Sequence, residues 1–204
     1  MAKSTKAPSN KGQKYPAEAL TDDEVRGLIG ACSNRAPTGV RNRAMIVVLY
    51  RGGLRIAEAL ALRPKDVNPD AGTIRILRGK GSKDRTIGLD DGAMAVIQRW
   101  LDVRAKRGIK GRSQLFCTLQ GKPVKTGYIR ALLPRIAHKA GVEKRVHAHG
   151  LRHTHAAQLA SEGVPVNVIQ RQLGHSNAAT ASRYLDHIAP KEVIETMKKR
   201  AWAL

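Results

Sequence analysis

Strand-like alternation of apolar and polar residues occupies only a small part of this chain, and that limits what it can fold into. Thr73 to Leu77 and Arg85 to Leu89 alternate on either side of Gly79-Lys80-Gly81-Ser82-Lys83, which predicts a β-hairpin with a basic tip. Leu115 to Thr118 also reads as a strand, short and at an edge. The remaining apolar residues recur with the period of a helix. Thr21 and Glu24 have capping-box spacing, and Val25, Leu28 and Ile29 form the stripe of a first helix behind them. Further helices are predicted over Arg41 to Tyr50, Leu54 to Leu62, Asp91 to Lys106, Thr126 to Ala140, His149 to Glu162, Val166 to Leu173, Ala178 to Tyr184 and Pro190 to Ala203. Gly52 and Gly53 separate the second from the third, which ends before Pro64 and carries Arg55 and Glu58 on one face. The fold class expected is mainly α with a small antiparallel β-sheet (α+β), with no internal repeat.

A chain of 204 residues with 42% hydrophobic content can bury one ordinary core. Residues 1–19 read as a basic flexible arm, too poor in apolar side chains to offset the entropy of ordering it, and residues 20–204 as one domain. Lysine and arginine number 37 against 16 acidic residues, a net charge of +21 that calls for a polyanionic partner. Nucleic acid, ribosomal RNA and an anionic membrane would all meet that charge. Aromatic residues are only 3%, which favours phosphate contacts on a duplex over base stacking. Cys32 and Cys117 lie far apart without CxxC spacing, so neither a disulfide framework nor a cysteine metal site is suggested. Met1 to Pro16 has no apolar run, so no signal peptide or membrane anchor is expected. A cytoplasmic, nucleoid-associated protein is the expectation.

Chemistry concentrates in a few motifs. Gly53-Leu54-Arg55-Ile56-Ala57-Glu58-Ala59-Leu60 is followed by the Gly79 to Lys83 hairpin, then His149-Gly150-Leu151-Arg152-His153, then Leu173-Gly174-His175, then Tyr184. In that order and at those separations the set resembles the catalytic domain of the tyrosine recombinases, the phage integrase family, from about Leu20 to the end. The resemblance implies site-specific cutting and rejoining of duplex DNA through a covalent 3′-phosphotyrosine, without metal or ATP. It assigns Tyr184 as nucleophile, Arg55 and Arg152 as the phosphate clamp, and His175 as a hydrogen-bond donor to the phosphate. By the same resemblance His149 assists proton transfer at the tyrosine, and Lys80 protonates the leaving 5′ oxygen.

Elementary chemistry asks for such residues. Phosphoryl transfer spreads negative charge over equatorial oxygens, and fixed guanidinium groups stabilise it in a planar fork that lysine cannot imitate. A phosphotyrosine conserves the energy of the broken backbone bond. Lys83 and Arg85 flank the hairpin tip and are expected to touch backbone phosphates, while Glu58 and His153 are expected to support the structure. His149 and His153 also have the spacing of two metal ligands on one helix, but no third ligand is evident, and no metal is expected.

The resemblance further implies a homo-tetramer on two DNA sites, a four-way junction, and possible accessory DNA-bending or directionality factors. In the family the last helix docks on a neighbouring subunit; packing of Pro190 to Leu204 on its own domain fits the pattern equally. No separate DNA-clamping domain precedes Thr21, so the chain reads as either a minimal recombinase or a fragment of a longer one. A type IB topoisomerase, a catalytically inactive DNA-binding regulator, and a ribosomal or nucleoid protein are the competing readings.

Overall fold

A computed structural model describes residues 18–77, 84–174 and 197–199. The hairpin tip at 78–83, the helix expected over Ala178 to Tyr184, and most of the one expected over Pro190 to Ala203 lie outside them. Seven α-helices, a 3-10 turn (Pro64–Asp66) and three short strands are described: α1 (Asp22–Ala31), α2 (Pro37–Tyr50), α3 (Ile56–Ala61), β1 (Val67–Asn68), β2 (Thr73–Ile76), β3 (Arg85–Gly88), α4 (Asp91–Lys106), α5 (Thr126–Lys139), α6 (Ala148–Ser161) and α7 (Val166–Leu173). The class is the expected one, mostly helical with a small antiparallel sheet. No helix among the described residues is long and apolar enough to cross a membrane.

The core is organised around α2, which is buried on nearly all sides and packs against α1, α4 and α6. A helix enclosed in this way needs partners for its polar side chains. Arg41, 4% exposed, donates to the Cys117 carbonyl, to Asn42 Oδ1 and, at 2.6 Å, to the Tyr128 hydroxyl. Pro37 opens α2 at its first turn, where the missing N–H costs nothing, so the helix begins before the expected Arg41. At α1 the capping box forms as read, with Thr21 and Glu24 each accepting from the other's backbone N–H.

The strands run in the order β1-β2-β3, all antiparallel, with Ile74 opposite Ile87. Ile74, Ile76 and Ile87 point into the core. The expected edge strand at Leu115 to Thr118 reduces to a single bridge between Cys117 and Pro123. Side chains take two of its carbonyls: the Leu115 carbonyl receives Trp100 Nε1 at 2.7 Å and Arg104 Nη1 at 2.9 Å, and the Cys117 carbonyl receives Arg41 Nη1. Helix α7 packs on β3, where the Gln172 side-chain amide accepts from Gly88 N–H and donates to Gly88 C=O, as a neighbouring strand would. A small second core of Ala156, Ala160, Ile169 and Leu173 holds α6 to α7.

Candidate active site

The chain leaves α2 through Gly52 and Gly53, and Gly53 adopts φ +59°, a conformation that L side chains rarely tolerate. This turn delivers Arg55 as the N-cap of α3. Its backbone N–H donates to Glu58 Oε2 at 3.0 Å, and its Nη1 to Glu58 Oε1 at 2.9 Å. Arg152 projects from the first turns of α6 and is 2% exposed. Its Nη1 donates to the Gly53 carbonyl at 2.5 Å and its Nη2 to the Leu173 carbonyl at 2.8 Å. Arg55 Nη2 reaches the next carbonyl, Gly174, at 3.4 Å.

Both guanidinium groups therefore converge on consecutive carbonyls where α7 ends. A helix C-terminus suits them, because its last carbonyls lack intrahelical partners and carry partial negative charge. Gly174 closes α7 in the left-handed conformation at φ 65°. The Gln172 bonds to β3 fix the same end from the other side. A guanidinium has five N–H donors, so it can be held by carbonyls and still grip a phosphate.

His149 lies at the exposed start of α6, its ring 6.5 Å from that of His147 between centroids. Partial burial, then the charges of His147, Arg152 and Arg55, push its imidazole below the ordinary 6.5. An imidazole kept neutral is able to accept a proton. Beside it, a groove of about 740 Å³ runs between α5 and the start of α6, with Arg130, Lys144 and Arg145 among its lining residues over an apolar floor that includes Leu133 and Val146.

The structure brings Arg55, Arg152 and His149 together, with Glu58 bracing Arg55. Arg85, expected at the DNA surface, turns inward: its side chain is 11% exposed and meets Glu58 with both Nη atoms. His153 is partly buried on α6. Lys80, Lys83, His175 and Tyr184 lie outside the described residues; His175 follows Gly174 directly in the sequence. Among the described residues no three His, Cys, Asp or Glu side chains gather as a metal site would require. Sequence reasoning missed the carbonyls of Gly53, Leu173 and Gly174 as anchors, since any residue type offers a carbonyl. The available signal was the glycine beside each.

Comparison with known proteins shows which family the chain resembles. The phage integrase family matches residues 18–190. A tyrosine recombinase of Thermosipho africanus (strain TCF52B) is 35% identical over 188 residues, covering 92% of this chain and 62% of the relative. The tyrosine recombinase XerD of Ralstonia nicotianae (strain ATCC BAA-1114 / GMI1000) is 34% identical over 182 residues, covering 88% and 58%. The chain thus spans about three-fifths of the length of these curated relatives. Among solved structures, XerA recombinase superposes with a TM-score of 0.80 at 28% identity, over 97% of this chain and 70% of that one. XerH site-specific recombinase, in a post-cleavage complex with palindromic difH substrate, gives 0.73 at 28% identity over 89% and 52%.

Proposed function

The chain belongs to the phage integrase family, the tyrosine recombinases, and on that footing we propose that it cuts and rejoins duplex DNA at specific sites, with Tyr184 as nucleophile. The Tyr184 oxygen attacks the scissile phosphorus, a new O–P bond forms, and the bond from phosphorus to the 5′ oxygen breaks. The phenolic proton, with an ordinary pKa near 10, passes to neutral His149. Lys80 gives a proton to the departing 5′ oxygen. Arg55, Arg152 and His175 hold the non-bridging oxygens as their charge develops. The 5′ hydroxyl of a second strand then attacks the phosphotyrosine and reverses each step, so no ATP is needed. Two such exchanges through a four-way junction, on a homo-tetramer bound to two sites, complete recombination. The substrate is double-stranded DNA, and we place the protein in the cytoplasm at the nucleoid, where DNA-bending or directionality factors can assist.

The observation that carries this reading is the convergence of Arg55 and Arg152 on the Leu173 and Gly174 carbonyls, immediately before His175 in sequence. The test uses a pool of nicked duplexes with randomised arms, incubated with the protein in EDTA. A nick beside the scissile phosphate lets the released oligonucleotide diffuse away, so cleavage leaves an SDS-resistant protein–DNA adduct. Wild-type chain is expected to form adducts with an enriched sequence, and Tyr184→Phe to bind the enriched duplex without forming any. No adduct from wild type, or an unchanged rate from Tyr184→Phe, overturns the reading.

A further inference from the structure

Behind the turn that leads to Arg55 stands a side chain with no part in the reaction outlined above. His155 lies three residues beyond Arg152 on α6, hence on the same side of the helix, and is 4% exposed. Among the described residues neither of its ring nitrogens has a hydrogen-bond partner. Buried imidazoles ordinarily find at least one, so shape is what this ring supplies. Its surroundings say what it shapes. A Cβ added to Gly53 would stand 2.9 Å from His155 Cδ2 and 2.5 Å from Leu173 Cδ2, so the Gly53 turn is wedged between the two side chains. Tyr50 meets the ring edge-on, with centroids 6.3 Å apart. The wedged residue, Gly53, and one of its two flanks, Leu173, are the two whose carbonyls hold the Arg152 guanidinium.

We propose that His155 is a positioning residue, whose ring backs the Gly53 turn against Leu173 and thereby sets the placement of Arg152 for the phosphate. The phosphate in this statement rests on the DNA-cutting reading; the packing does not. The charged groups facing the ring are Arg51 at the end of α2, Arg152 on α6 and Asp90 before α4, with the Tyr50 phenol beside it. Burial, then Arg51 and Arg152, hold the imidazole down at about 4; Asp90 opposes them and is itself paired with Arg51 at 2.8 Å. A proton on His155 would put a third cation against two guanidinium groups, so acid works against the wedge.

The experiment compares wild type, His155→Phe and His155→Ala by two readouts. In the first, unfolding equilibria are measured between pH 7 and pH 5. Phe keeps a ring and takes no proton, so wild type is expected to lose about twentyfold more in folding constant than His155→Phe over that range. Parallel curves would overturn the proposal. In the second, adduct formation on the enriched nicked duplex is set against DNA affinity. His155→Ala is expected to slow adduct formation by at least about tenfold with affinity within about twofold, and His155→Phe to restore most of the rate. Ala at the wild-type rate, or rate and affinity falling together, would count against positioning. Should the Ala chain not fold, the Phe comparison decides alone. If wild type forms no adduct, the DNA-cutting reading fails, while the first readout still judges His155.

Discussion

Glu58 grips Arg85 with both carboxylate oxygens, Oε1 to Nη1 at 2.9 Å and Oε2 to Nη2 at 2.8 Å, each side chain only 11% exposed. The same carboxylate takes the backbone N–H and Nη1 of Arg55. One acidic side chain thus ties the start of α3 to β3 and sets the height at which Arg55 leaves the helix. Removing the charge leaves an Arg85 guanidinium buried against a neutral amide. We expect Glu58→Gln to cost about 3 kcal/mol in stability, read from the denaturant midpoint at pH 7. A loss below about 1 kcal/mol would show that Arg85 does not depend on the pair.

The pH dependence of this pair follows from its charge. Burial alone would raise the Glu58 carboxyl, but the bonds from Arg85 and from the Arg55 backbone and side chain outweigh it and hold it at about 2, against an ordinary 4.5. With the folded value below the unfolded one, the contribution is complete above pH 4.5 and is lost as pH falls through about 2. Its size is about 3 kcal/mol. Acid titrations monitored by circular dichroism should show this steepness in wild type and not in Glu58→Gln.

Gly53 offers a test of the turn itself. A methyl group there would meet Leu173 and His155 closer than real contacts allow, at a backbone φ of +59°. Gly53→Ala is expected to destabilise by about 2–3 kcal/mol and to slow adduct formation with it. Gly30 provides the contrast: it lies in α1 with open space at its Cβ, and Gly30→Ala should stabilise by about 0.5–1 kcal/mol. Equal effects at the two positions would remove the special role of the turn.

Much of this fold is legible where local chemistry decides. The Thr21–Glu24 capping box, α4 from Asp91 to Lys106 and α7 from Val166 to Leu173 stand where caps and apolar periods put them. Two-residue β1 carries too little pattern to be read, and the 115–118 segment could not be told from a strand because its partners are the distant side chains of Arg41, Trp100 and Arg104. At the site, Arg55 and Arg152 stand out through their motifs. Arg85 is instructive, because the period of two places it on the face of buried Ile87, a sign that it turns inward. Its partner, Glu58, lies 27 residues away, and no local rule joins them. His155 reads in sequence as one of several crowded histidines; only three-dimensional packing separates it from His149.

Arg152 allows the sharpest separation of charge from shape. Lys at this position would keep the charge but has one point donor group, and it cannot span the Gly53 and Leu173 carbonyls as a planar fork does. Bulk DNA affinity should stay within a few fold, since 37 lysines and arginines share the attraction to phosphate. The rate of adduct formation should fall by about 10²–10³, the scale of one lost transition-state donor, or about 3–4 kcal/mol. Single-turnover cleavage, measured well below the unfolding temperature of the variant, keeps the loss of fold apart from the loss of chemistry. Affinity and rate falling in proportion would mean that Arg152 acts as one more surface cation. A rate within a few fold of wild type would take it out of the phosphate clamp, and with it the meaning given to the carbonyls that hold it.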